Sequence, residues 1–168
     1  MNKSVLLLLA FTLALGMASC KKDTGQTTLH IRLTDGPGDY QQVNVDIQEI
    51  RVKTAQDTSK WILLQTNAGV YNLLDFQNGV DTLLAFGPLP AVLLKEVRFI
   101  LGPNNSIMKD SIIYPLETPS AQESGLKVKI DKNLGLDLNT FVIDFDAQAS
   151  VLVQGNGAYK LKPVIKLK

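Results

Sequence analysis

Few side chains in this chain are equipped for chemistry of their own. Its 168 residues include one histidine, His30, and one cysteine, Cys20. A histidine-dependent triad would have to be built on His30. That residue sits at an outward-facing place in an alternating apolar segment, which predicts a solvated or sheet-paired imidazole. Asp144 and Asp146 are the best acid pair, because a two-residue spacing on a strand puts both carboxylates on one face about 7 Å apart. Such a pair can serve as acid and base in a hydrolase, hold a cation, accept hydrogen bonds from sugar hydroxyls, or keep a strand face soluble. The solvated face is the expectation here.

Two further oxygen-rich stretches raise calcium as a thought. Asp35 and Asp39 flank Gly36-Pro37-Gly38, and Asp131, Asn133, Asp137 and Asn139 punctuate a segment that includes Gly135. In the second, glycine falls one place early for an EF-hand and no bidentate glutamate follows. Turn formation is therefore expected of both, and no metal or other cofactor. Tyr40 follows the glycine-proline turn, where a tyrosine offers a large area with a polar tip, so Tyr40 with Asp39 is the expected contact site. The single tryptophan, Trp61, stands beside Ile62-Leu63-Leu64 and is expected in the core. No GxSxG, HExxH, P-loop or dinucleotide glycine pattern occurs, which predicts a protein that is not an enzyme.

The elements that must position these residues are strands. Leu29, Ile31 and Leu33 alternate with polar residues, and Asp35 to Asp39 stops the run with two glycines and a proline. Alternation resumes at Val43, Val45 and Ile47, then changes parity at Ile50 and Val52. Either a bulge between Ile47 and Ile50 or burial on both faces accounts for that change. Val97, Phe99 and Leu101, then Leu126, Val128 and Ile130, alternate with charged neighbours. Val80 to Phe86 reads as strand or helical turn, ended by Pro88 and Pro90. Phe141, Ile143, Phe145, Ala147 and Val151 share one parity and Tyr159, Leu161, Ile165 and Leu167 another, which predicts closing strands joined through Gly155-Asn156-Gly157, with Pro163 inside the last one at an edge. No helix-period run of useful length appears. The expected fold is all-β, an antiparallel two-sheet β-sandwich of roughly seven to nine strands, transthyretin-like or immunoglobulin-like, with an up-and-down barrel as the alternative.

The amino terminus points to a location. Met1-Asn2-Lys3 is a short basic region and Val5 to Leu15 an apolar run, too short for the roughly 20 residues that span a bilayer. Met17-Ala18-Ser19-Cys20 resembles a lipobox, which implies cleavage before Cys20 and acyl chains on its thiol. Lipidation also gives a use to a cysteine that has no partner for a disulfide. Lys21-Lys22-Asp23 resembles the export signal of Bacteroidetes surface lipoproteins. The expected domains are a signal peptide at 1–19, a lipidated tether at 20–27 and one sandwich at 28–168. Removing residues 1–19 takes away Lys3 alone among the charged residues, so 16 basic and 16 acidic side chains remain. That balance offers no case for nucleic acid. The partners expected are the membrane, through Cys20, and an unidentified glycan or envelope protein.

The turn Leu33-Thr34-Asp35 through Asp39-Tyr40, the strand Val43 to Ile47, Leu89-Pro90-Ala91, Ser124-Gly125-Leu126-Lys127 and Ile143 to Ala147 occur in this order. Together they resemble a bacterial envelope lipoprotein family of Bacteroidetes type, known as a domain of unknown function. The resemblance implies a lipoprotein of the outer membrane, displayed on the cell surface. The readings carried forward are a non-catalytic binding module, a structural or assembly subunit of an envelope complex, and a carboxylate-dependent hydrolase.

Overall fold

The structure is a computed structural model that describes residues 25–118 and 124–168. The leader at 1–19, Cys20 and the Lys21-Lys22-Asp23 segment lie outside the described residues. In chain order the strands are β1 Gln26–Thr34, β2 Gln42–Thr54, β3 Ile62–Leu63, β4 Gln65–Thr66, β5 Gly69–Asn72, β6 Thr82–Pro90 and β7 Leu93–Leu101. They continue with β8 Ser106–Lys109, β9 Ile112–Glu117, β10 Leu126–Asn133, β11 Asn139–Phe145, β12 Val151–Val153, β13 Tyr159–Leu161 and β14 Ile165–Leu167. A 3₁₀ turn at Leu73–Phe76 and a helical turn at Ala147–Ser150 accompany them.

Two sheets form a β-sandwich and no barrel closes. One has the order β14-β11-β1-β6-β4; the other runs β10-β7-β2-β8-β9-β13-β12, with β3 and β5 also paired to β2. Both are mixed, since β1 lies parallel to β11 and β13 parallel to β9. Alternation says which face a residue takes and nothing about strand direction, so these parallel pairs leave no mark in the pattern. The expected seven to nine strands become fourteen among the described residues, because several longer apolar runs break into pieces of two to four residues.

The inner faces meet in one core built on β1, β2, β7 and β11, where Leu29, Ile31, Leu33, Ile50, Phe99, Ile143 and Phe145 are fully buried. The parity change in β2 is a bulge: Ile47 pairs with Leu101 and Glu49 with Ile100, leaving Gln48 as the extra residue. It returns Ile50 and Val52 to the side of Val43, Val45 and Ile47, and all five are fully buried.

Two prolines behave differently from expectation. Pro88 does not end β6, which continues past it opposite Thr28 and ends at Pro90, opposite Gln26 of β1. Beyond Phe86, β4 no longer covers β6, so this part is locally an edge where a missing N–H removes no ladder bond. Pro163 lies between two strands rather than inside one: β13 belongs to the larger sheet and β14 to the smaller, and the chain crosses between them at Lys162 to Val164. The Gly155-Asn156-Gly157 hairpin forms as expected between β12 and β13, closed by Gln154 N–H to Ala158 O at 2.8 Å.

Candidate functional site

Three of the sequence-selected carboxylates gather at the end of β1 and β11. Those strands run parallel with Thr34 opposite Asp144, so Asp35 and the residues after Asp144 emerge side by side. Asp35 is buried; its Oδ1 accepts from the Ala147 N–H at 2.8 Å and its Oδ2 from Gln77 Nε2 at 3.3 Å. Burial pushes its carboxyl above the ordinary value, with the nearby Asp144 charge adding to that push and the bonds from Ala147 and Gln77 opposing it.

Asp144 and Asp146 do not form the open pair that their spacing suggests. The strand ends at Phe145, and Asp146 turns away to cap the helical turn, accepting from the Ala149 N–H at 2.8 Å. Asp144 is itself buried, with Oδ2 3.2 Å from Lys166 Nζ on β14 and Oδ1 without a hydrogen-bond partner. The period-2 rule fails here because the strand stops one residue before it would apply.

Asp39 and Tyr40 are held to the same end. The Asp39 N–H donates to Gln148 Oε1 at 3.0 Å, and Tyr40 is half-buried against the core. The expected contact surface at Tyr40 is thus reduced to part of one ring. The Gly135 to Asn139 segment is a self-closed turn: Asn139 Nδ2 donates to Asp137 O and Thr27 Oγ1, both at 2.8 Å, and its Oδ1 accepts from the Gly135 N–H at 3.1 Å. The Asn139 amide and the Asp137 and Gly135 carbonyls are engaged in the turn, in line with turn formation. Among the described residues no three histidine, cysteine or acidic side chains stand together as a metal site would need. His30 packs edge-on against Phe86, ring centres 6.1 Å apart.

The feature that sequence reasoning missed is on the outer face of the larger sheet. Ile50, Phe99 and Leu126 form one row across β2, β7 and β10, and the next row is Arg51, Arg98 and Lys127. Alternation sends the first inward and the second outward. A further inward row, Val52, Val97 and Val128, is followed by an outward row of Lys53, Glu96 and Lys129. Trp61, just before β3, lies on this face and not in the core. Its ring has the Arg98 guanidinium carbon 3.9 Å from the centroid and Lys53 Nζ 4.6 Å from it, which are cation–π distances. Arg51 is neutralised along its own strand by Glu49, with Nε to Oε2 at 2.8 Å. Arg98 and Lys127 have no carboxylate within ion-pair distance among the described residues. The outward charges were visible as alternation in each strand, but their alignment depends on register across three strands.

Beside this face, Ile62, Leu63, Leu64, Phe86 and Pro88 line an open, mostly apolar groove of about 550 Å³ between the two sheets. It contains no titratable group.

Residues 26–163 match a family model described as a domain of unknown function (DUF4382). The chain belongs to this family. The match covers the sandwich from the start of β1 to the crossing at Pro163, so the acid-rich end and the Trp61 face both fall within the family's domain. No curated protein and no solved structure matches the chain.

Proposed function

We propose that this protein is a Bacteroidetes-type lipoprotein, held at the outer membrane by acyl chains on Cys20, displayed on the cell surface, and serving as a non-catalytic binding module. The anchor follows from the lipobox-like Met17-Ala18-Ser19-Cys20: each buried CH₂ contributes about 0.8 kcal/mol, so several acyl chains hold a protein on a bilayer durably. The observation that carries the binding reading is the outer face of β2, β7 and β10, which presents rows of charge, with Arg98 stacked on Trp61 and, among the described residues, unpaired to any acid. Against a hydrolase stands the use already made of the acids: Asp35 holds the backbone of Ala147, Asp146 caps a turn and Asp144 pairs with Lys166.

Fatty-acid labelling and membrane fractionation of wild type and Cys20→Ala test the anchor, with loss of both label and membrane association expected in the variant. Protease shaving of whole cells tests display, and Lys22→Ala with Asp23→Ala should protect the protein. Full-length protein in detergent micelles, offered a panel of glycans, should retain at least one without altering it. Turnover that disappears in Asp144→Asn would overturn the non-catalytic reading.

A further inference from the structure

We infer that the outer face of β2, β7 and β10 is a docking surface for an acidic polysaccharide, a chain bearing both carboxylates and hydroxyls, with Arg98 at its centre; this rests on the binding-module reading above. Like charges directly opposite one another on adjacent strands destabilise a sheet, yet Arg51, Arg98 and Lys127 are aligned in one row. The neighbouring row contains its own relief, Glu96 between Lys53 and Lys129. The first row has none within it. Glu49 answers Arg51 from the same strand, and Asp131 engages Lys129 at 3.2 Å and Lys95 at 3.5 Å. Among the described residues, Arg98 and Lys127 stay uncompensated.

Arg98 is also pre-positioned. Its Nε is buried and has no hydrogen-bond partner, so the guanidinium is held by stacking on Trp61 rather than by an ion pair. Its stem is confined by the start of β10, where a Cβ on Gly125 would lie 2.9 Å from Arg98 Cγ and 2.8 Å from Phe99 O. A planar fork of donors fixed in this way suits a carboxylate, which it can engage with two bonds, and little ordering entropy remains to be lost on binding.

The shape of the charge selects the kind of partner. The basic row crosses three strands, about 10 Å, and the next outward row lies about 7 Å along the strands. At these separations the groups of the two rows do not converge on one point, as a single small anion would need. An extended chain with repeated charges fits such a surface. Glu96, in the middle of the second row, would repel a uniformly charged phosphate backbone or anionic bilayer, but it can accept hydrogen bonds from sugar hydroxyls between the carboxylates of the chain.

The test uses the full-length protein in detergent micelles, titrated with polygalacturonate, neutral dextran, a DNA duplex and vesicles containing phosphatidylglycerol. Emission from Trp61, the single tryptophan, reports occupancy. Polygalacturonate should bind, with an affinity that falls steeply as salt rises through the range where the screening length shortens below about 10 Å. Arg98→Gln should weaken it by about tenfold or more. Lys127→Glu should weaken it as well and, being at an exposed side chain, keeps the test available if Arg98→Gln does not fold. Lys160→Gln, on β13 four strands away from β7, should change nothing. Unchanged binding in both Arg98→Gln and Lys127→Glu would overturn the inference. Equal binding of neutral dextran would overturn it while sparing the module reading, and preference for DNA or vesicles would overturn it in favour of those partners. Binding that both variants lose, accompanied by new reducing ends from the polymer, would support the face and overturn the non-catalytic reading.

Discussion

The backbone N–H of Ala147 donates to Asp35 Oδ1 at 2.8 Å, across 112 positions of sequence. The bond ties the first turn of the sandwich to the end of β11, and a buried carboxylate makes it. Burial raises the Asp35 carboxyl above its ordinary value, so the folded state favours the neutral acid. Its contribution to stability is fully present below its unfolded pKa, about 3.9, and is lost as pH rises through the raised folded value. Asp35→Asn keeps an acceptor for Ala147 and cannot ionise, so urea melts of this variant should lack that loss. Parallel stability curves for wild type and variant from acid to neutral pH would refute the account. Asp35→Ala, which leaves the Ala147 N–H unsatisfied, should cost about 1 to 3 kcal/mol.

The bulge in β2 yields a sharper expectation. Deleting Gln48 would turn one end of the strand over, exposing either Val43, Val45 and Ile47 or Ile50 and Val52, all of them fully buried. Each exposed aliphatic side chain forfeits about 1.5 to 3 kcal/mol, against a total stability on the order of 5 to 15 kcal/mol. The deletion variant should be unfolded or aggregated by circular dichroism and gel filtration, whereas Gln48→Ala should remain folded.

Much of the sandwich was legible because inside and outside are written in period 2: β1, β2, β7 and β10 have the faces that their alternation predicts, and the β2 bulge was one of two readings of its parity change. Sheet partnership was not legible. Nothing in Phe141 to Phe145 announces a parallel neighbour, and Tyr159 to Leu167 share a parity although Pro163 divides them between two sheets. The candidate site suffered most from this. Asp144 and Asp146 look paired only if the strand runs on past Phe145, and the Arg51, Arg98 and Lys127 row exists only once three strands are in register.

Two glycines separate backbone strain from crowding. Gly79 and Gly125 both have positive φ, 86° and 70°, but a Cβ at Gly79 meets open space while one at Gly125 would lie 2.5 Å from Ile100 Cδ1 and 2.8 Å from Phe99 O. Both alanine variants bear the conformational cost of about 1 kcal/mol. Gly125→Ala must also push β10 off β7, so its melting temperature should fall well below that of Gly79→Ala. Equal melting temperatures would show that the end of β10 yields freely.

Trp61 should report on Arg98 without any ligand. With the guanidinium carbon 3.9 Å from the ring centroid, Arg98→Ala uncovers the indole and should shift its emission to longer wavelength. Loss of the cation–π contact should cost about 0.5 to 1 kcal/mol. Lys53→Ala, whose ammonium lies farther off at 4.6 Å, should shift the emission less. An unchanged spectrum in Arg98→Ala would mean that the two side chains do not stack in solution.

Asp144 and Lys166 allow a test of what the buried acid is for. The Asp144 side chain is 12% exposed and Lys166 64% exposed, with Oδ2 3.2 Å from Nζ, and the other carboxylate oxygen is buried without a partner. Removing the lysine alone leaves a charge in the sheet with no counter-ion. Removing the charge leaves an amide that needs only hydrogen bonds. Lys166→Ala should therefore destabilise the fold by more than Asp144→Asn does, and the double variant should resemble Asp144→Asn rather than the sum of the two. Because Lys166 is largely in water, the penalty should shrink as salt rises. A proton-handling carboxylate would show the reverse ranking in activity, with Asp144→Asn inactive and Lys166→Ala merely altered in its pH profile. Stability and turnover measured on the same three variants thus separate a structural ion pair from a catalytic one.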